Sequence, residues 1–146
     1  MNALKQLLFN MADDLLIIGH RNSEWTGIGP ILEEDIAFAS MAQDKIGQAQ
    51  AFYQIIHERF DEKKADFLGF ERKENEFFSA HFVEYPIGEY DYSLVRHFLF
   101  DQAQVIRIND LMNSSDDEIK SISMKFFPEL KYHIMHADIW MDQLCN

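Results

Sequence analysis

Five polar side chains occupy positions of the helical repeat that are otherwise apolar, and they are the residues of this sequence that could do chemistry. They are Asp14, Lys45, Gln48, Asp101 and His133. Asp101, for example, falls between Phe98 and Val105 at the 4-3-4 spacing of an apolar seam. Since a buried charge costs several kcal/mol unless it is paired, we expect these groups to meet one another in the interior.

One interpretation of these residues is a metal centre inside a helical bundle. Such centres are built from carboxylates and two Glu-x-x-His pairs. The corresponding pairs here read Lys45-x-x-Gln48 and Leu130-x-x-His133, and none of the six histidines has a glutamate three residues before it. The donors left for a metal are Asp14, Asp101, Glu129 and His133, although Glu129 lies one residue off the seam.

The interpretation that we favour is a core without metal, since a protonated lysine cannot bind a metal ion and supplies the positive charge itself. In this core Lys45 neutralises Asp101, with Asp14 as a second partner and His133 hydrogen-bonded nearby. In the remaining, purely structural alternative some of these side chains point outward and never meet. The pair His133-x-x-His136 also has ligand spacing, but no third ligand can be named from the sequence.

The elements that position these residues are long helices, because only three Pro and six Gly interrupt the chain. Pro30 is expected to open the second helix, Asp91 to cap the third, and Ser115 to begin a capping box with Glu118. Pro128 should kink the fourth. The predicted long helices cover residues 2–20, 30–60, 91–112 and 115–144, and a short helix covers 71–81.

The spacing of these helices predicts the fold. The second and third long helices are separated by a connection long enough to run from one end of a bundle to the other. The sequence therefore predicts one all-α domain over residues 1–146, a ferritin-like four-helix bundle with one long crossover connection between helices 2 and 3. Surplus aromatic residues on the fourth helix, including Phe127 and Tyr132, predict an apolar outer strip that faces a partner.

Charge and composition exclude several functions. The 13 basic and 25 acidic residues give a net charge of −12, which argues against binding nucleic acid or an anionic membrane surface. No apolar run is long enough to cross a bilayer, and the start lacks the pattern of a signal peptide. The single cysteine, Cys145, can form no internal disulfide. We therefore expect a cytoplasmic protein.

Several segments resemble the C subunits of bacterial phenylacetyl-CoA 1,2-epoxidases, in the same order along the whole chain. They are Ala12–Trp25, Gly29–Ala37, Asp44–Ala49, Arg96–Asp101 and Glu129–His133. The resemblance implies a ferritin-like subunit without a complete metal set, beside a related catalytic A subunit that holds the di-iron site and the coenzyme A thioester. It places the A subunit's glutamate and histidine at Lys45 and Gln48, so the five polar residues would be relict metal-site positions.

The resemblance thus implies a non-catalytic structural subunit of a multicomponent monooxygenase in aerobic phenylacetate catabolism, with no catalytic residue and no cofactor of its own. Its partners would be the A-type subunit, a second copy, or both. Family members continue beyond the fourth helix, so we expect this chain to be a fragment or a short relative. A stand-alone di-metal oxidase and a free helical interaction module are the alternatives.

Overall fold

The computed structural model describes residues 2–145, and within that range the chain is helical with no β-strand. This confirms the predicted all-α class and is consistent with a ferritin-like bundle. The α-helices are α1 (Ala3–Ser23), α2 (Leu32–Phe60), α3 (Ala65–Phe70), α4 (His81–Glu84), α5 (Tyr90–Met112) and α6 (Asp117–Cys145), and a 3₁₀ turn covers Glu74–Glu76. The four long helices are those predicted, and their observed ends lie within three residues of the predicted ones.

The contacts divide the chain into two compact units, one ending at Ile87 and the other beginning at Gly88. In the first unit α1 packs along α2, and the short helices α3 and α4 pack against α2 and α1 respectively. The second unit is the pair formed by α5 and α6. The expectation of one domain over residues 1–146 stays a prediction.

The first unit is held by the apolar stripes predicted for its two long helices. Leu8, Met11, Leu15 and Ile18 are buried on α1. On α2 the buried stripe consists of Phe38, Met41, Ala42, Ala49 and Phe52. The two helices approach closely at Gly19, where an added Cβ would lie 2.9 Å from Cγ1 of Ile46 and 3.3 Å from the carbonyl oxygen of Ala42. This glycine therefore fits because it has no side chain.

The connection between α2 and α5, residues 61–89, differs from the prediction. A helix over 71–81 is wrong: the chain instead makes the 3₁₀ turn, runs without regular structure from Phe77 to Ala80, and then begins α4. We call residues 71–80 the strap. Backbone N–H groups of the strap donate to side chains of α1, described below, rather than to a helical ladder. Hydrogen-bond acceptors on α1 therefore replace the local backbone acceptors that a helix would supply.

The starts of the long helices are shifted slightly from their predicted residues. Pro30 precedes the start of α2 by two residues rather than opening it. Asp91 lies inside α5, whose N-cap is Glu89. In α6 the cap is Asp116 rather than Ser115, because Oδ1 of Asp116 accepts a hydrogen bond from the N–H of Ile119 at 3.2 Å. The last helix continues through Pro128, and a kink there stays a prediction.

The buried face of α5 is rotated from the predicted seam. Phe98, Val105 and Met112 are half-buried, whereas His97 and Gln104 are buried together with Asp101. The interior of the second unit is consequently more polar than the sequence suggested. On α6 the prediction holds for Ile119, Phe126, Leu130, His133 and Ala137, which are all buried.

The long helices are amphipathic or polar rather than uniformly apolar. Over the residues that the structure describes, none of the helices combines the length and the apolar character needed to cross a bilayer.

Candidate functional site

All five polar residues singled out from the sequence are buried. Asp14, Lys45 and Gln48 belong to the first unit, and Asp101 and His133 belong to the second. Lys45 is only 1% exposed, so its ammonium group does not extend into solvent along the helix surface. The alternative in which some of these five side chains point outward is therefore wrong, whereas their interpretation as relict metal-site positions stays a prediction.

One partner of Asp14 was not expected. Its Oδ1 accepts a hydrogen bond from the backbone N–H of Ala80 at 2.8 Å, so this carboxylate helps to hold the strap on α1. A role in fixing the backbone of the connection explains a buried carboxylate at this position without a metal ion, because a backbone donor satisfies one of its lone pairs.

Sequence reasoning missed the neighbouring residue Asp13, which is fully buried and lies at the centre of a larger network. Its Oδ1 lies 2.5 Å from Nη2 of Arg72 and accepts a hydrogen bond from the Tyr53 hydroxyl at 2.5 Å. Its Oδ2 accepts the N–H of Phe78 at 2.7 Å. We call Asp13, Tyr53, Arg72 and Phe78 the Asp13 cluster. It joins α1, α2 and the strap.

The guanidinium of Arg72 is enclosed by the connection itself. It donates to the carbonyl oxygens of Leu68 at 2.5 Å and Glu76 at 2.9 Å. Its central carbon lies 4.0 Å from the ring centre of Phe77, and the rings of Phe9 and Tyr53 are also within cation–π range. An arginine suits this site because its planar group can stack on rings while several N–H donors reach separate acceptors.

The pKa of the Tyr53 hydroxyl departs strongly from its ordinary value. Burial raises the pKa of Tyr53 well above its ordinary value, the Asp13 carboxylate raises it further, and the Arg72 guanidinium opposes both effects. Tyr53 therefore stays a neutral hydrogen-bond donor at physiological pH. The cluster is a satisfied structural network rather than a proton-transfer site.

A signal for Asp13 was present in the sequence. It lies between Phe9 and Leu16 at helical spacing, and both of these neighbours are buried. The sequence therefore contained a second interrupted seam on α1, adjacent to the one through Asp14. No comparable signal identifies Arg72, because its position follows from the path of the strap.

The second unit carries a compact group of histidines around Asp101. Nδ1 of His97 lies 2.9 Å from Oδ2 of Asp101, and Nδ1 of His133 lies 3.8 Å from the same oxygen. The His97 ring is centred 6.0 Å from that of His133 and 5.8 Å from that of His136. His97 therefore links Asp101 to the pair His133 and His136.

The side chains present do not fit a ferritin-like di-metal centre. Among residues 2–145, no three His, Cys, Asp or Glu side chains are grouped as metal ligands. Glu129 is only partly buried, Asp14 binds the backbone of the strap, and Lys45 brings a positive charge into the interior.

Comparison with known proteins gives the same identification as the sequence. The model of the family described as "Phenylacetic acid catabolic protein" matches residues 1–146. The chain is also 33% identical over 146 residues to the C subunit of 1,2-phenylacetyl-CoA epoxidase from Escherichia coli strain K12; the match covers 100% of this chain and 59% of the relative. The chain thus spans about three fifths of the length of that relative, and it belongs to the phenylacetic acid catabolic protein family.

Proposed function

We propose that this chain acts as a non-catalytic structural subunit of a multicomponent phenylacetyl-CoA epoxidase in aerobic phenylacetate catabolism. The observation that carries the proposal is the similarity to the epoxidase C subunit along the whole chain. In this role it works in the cytoplasm beside a related catalytic A-type subunit, and the metal and the thioester substrate belong to that partner.

The buried polar residues support a structural role. A lysine and a glutamine lie one turn apart on the buried face of α2, where a metal-binding bundle would need a carboxylate and an imidazole. The positive charge of Lys45 can balance buried carboxylates without a metal ion. In the proposed function Asp14, Lys45, Gln48, Asp101 and His133 are relict metal-site positions that stabilise the subunit.

The direct test is co-expression of the tagged chain with an A-type subunit of a phenylacetyl-CoA epoxidase. We expect the two proteins to co-elute in size-exclusion chromatography, and epoxidation to require the A-type subunit. The control is the tagged chain expressed alone, for which we expect no turnover of phenylacetyl-CoA.

Two results would overturn the proposal. Near-stoichiometric iron or manganese in the chain purified alone, together with activity, would instead identify a stand-alone oxidase. Failure to co-purify with any A-type subunit would identify a free helical interaction module.

A further inference from the structure

The strap is exposed along almost its whole length. Seven of its ten residues are exposed, and the other three are Arg72, Phe77 and Ser79. The elements on either side are fixed by apolar burial, since Leu68 on α3 and Val83 on α4 are only 2% and 1% exposed. A segment that buries so little apolar surface between two anchored ends is typical of one that opens locally.

Polar contacts to two consecutive residues of α1 hold the strap in place. Oδ2 of Asp13 accepts the N–H of Phe78 at 2.7 Å, and Oδ1 of Asp14 accepts the N–H of Ala80 at 2.8 Å. The third contact is the ion pair between Asp13 and Arg72. Because both carboxylates belong to one rigid helix, a strap that moves away from α1 breaks the three contacts together.

Release of the strap would return these carboxylates to water. Asp13 and Asp14 are only 0% and 3% exposed while the strap is in place, and a carboxylate loses hydration when it is buried. Their hydration in an open state therefore offsets part of the cost of breaking the contacts. The apolar stripes that pair α1 with α2 include no residue of the strap, so this pairing does not require a closed strap.

Open cavities lie on both sides of the strap along α1. Lys5 and Phe9 line a cavity of about 420 Å³ on one side. Ile17 and Arg21 line a cavity of about 320 Å³ on the other side. With Asp13 between them, these residues follow one another at intervals of four and form one row along the helix surface. The strap crosses this row at Asp13.

Two consecutive phenylalanines of the strap belong to different cavities. Phe77 lines the cavity beside Ile17, and Phe78 lines the cavity beside Phe9. The ring centres of Phe78 and Phe9 are 5.7 Å apart, yet Phe78 remains 42% exposed. The strap is thus flanked by open space on both sides, and few apolar contacts oppose its movement.

We propose that the strap is a latch that opens as one unit while α1 and α2 stay folded. The structure shows the closed state, in which the strap separates the two cavities. Opening joins them into one cleft that follows the row on α1 for about 24 Å, from Lys5 to Arg21. Asp13 lies at the middle of this cleft.

Hydrogen exchange of the purified chain, followed residue by residue by NMR, tests the proposal. Relative to their intrinsic rates, the amides of Phe78 and Ala80 should exchange at least about 100-fold faster than the core amides of Leu15 and Ala49. Low concentrations of urea should accelerate exchange of the core amides but not of the strap amides, because opening of the strap exposes far less surface than unfolding does.

Ala80→Pro tests whether the contacts break together. The substitution removes the N–H that Asp14 accepts, and the φ of −73° at Ala80 suits proline. Protection of the Phe78 amide should fall at least about tenfold, although its own hydrogen bond to Asp13 is unchanged. The matched control is Asn75→Ala, at another exposed position of the strap, which should leave this protection unchanged. Circular dichroism checks that both variants remain helical.

Three outcomes would overturn the proposal. Strap amides that exchange as slowly as the core amides, with the same dependence on urea, would show that the strap opens only when the whole chain unfolds. An unchanged Phe78 amide in Ala80→Pro would show that the contacts break independently. Equal loss of protection in Asn75→Ala would show that any substitution loosens the strap. The first comparison uses the unmodified chain, so it decides the matter even if Ala80→Pro does not fold.

Discussion

Asp13 and Asp14 are consecutive carboxylates that both bind the strap but do so with different partners. Asp14 accepts the N–H of Ala80, whereas Asp13 combines the N–H of Phe78 with an ion pair to Arg72. Because the side chains of Asp13 and Arg72 are 0% and 7% exposed, this pair lies in a region where water screens little. Each charge of this pair is therefore stabilised in the interior by the other.

We therefore predict that Asp13→Asn destabilises the protein by about 3–5 kcal/mol, because it leaves the Arg72 guanidinium buried without its counter-charge. Urea unfolding monitored by circular dichroism measures the change. Asp66→Asn, at an exposed position of α3, is the control and should change stability by less than about 0.5 kcal/mol. A loss below about 1 kcal/mol for Asp13→Asn would show that the pair behaves like one on the surface.

Tyr53 gives a prediction for alkaline pH. Its pKa is raised above its ordinary value of 10.0, so the stability that this group contributes is fully present below about pH 10 and is lost as the pH rises further. Tyr53→Phe should cost about 1.5–3 kcal/mol at pH 7, since it removes a hydrogen bond to a charged acceptor. The difference in the free energy of unfolding between the unmodified protein and Tyr53→Phe should then shrink above pH 10.

Urea titrations of both proteins from pH 7 to pH 11 check this prediction. A difference in stability that stays constant across this range would mean that the Tyr53 hydroxyl does not titrate differently in the folded and unfolded chains.

At the scale of the element, two glycines in long helices should respond to alanine in opposite ways. Gly19→Ala should destabilise by about 1–3 kcal/mol, because the new methyl group meets Ile46 and the backbone of Ala42 where α1 packs on α2. Gly47→Ala on the exposed side of α2 has no heavy atom within 4 Å of the added Cβ. It should stabilise by up to about 1 kcal/mol through helix propensity alone.

Thermal unfolding of the two variants measures both effects. Stabilisation by Gly19→Ala would show that α1 and α2 can separate at little cost.

The four long helices were predictable because apolar periodicity is a local property. The strap was not predictable, because its backbone N–H groups donate to the carboxylates of Asp13 and Asp14, which lie about sixty residues earlier in the chain. A local pattern of polar residues and breakers does not reveal such partners. The same limit explains why Arg72 was not predicted, because its role follows from the path of the strap and not from its neighbours in sequence.

The candidate site was predicted in part. The burial of Lys45 and Asp101 follows from their places in apolar seams. The predicted buried face of α5, however, is rotated about the helix axis by part of a turn from the observed one. That error hid His97, which the structure places 2.9 Å from Asp101. Several seams of one helix are nearly equivalent in the sequence, and only the packing of α5 on α6 selects among them.

At the scale of the whole molecule, the pairing of Lys45 with Asp101 stays a prediction. If the two charges pair, Lys45→Met should cost about 3–5 kcal/mol by leaving a carboxylate uncompensated. Adding Asp101→Leu should then recover much of that loss. Denaturant titration of the single and double variants measures the coupling, and losses that simply add would show that the two side chains are independent.

The strap also bears on the order of folding. α1 and α2 are joined by a short loop, whereas the hydrogen bonds from Asp13 to the strap span 59 to 65 residues. Closing the longer loop costs more chain entropy, so α1 and α2 should pair first and the strap should dock after the main barrier. Contacts made after the barrier affect unfolding rather than folding. In stopped-flow experiments Asp13→Asn should therefore accelerate unfolding and leave the folding rate nearly unchanged, which makes the Asp13 cluster a determinant of the lifetime of the folded chain.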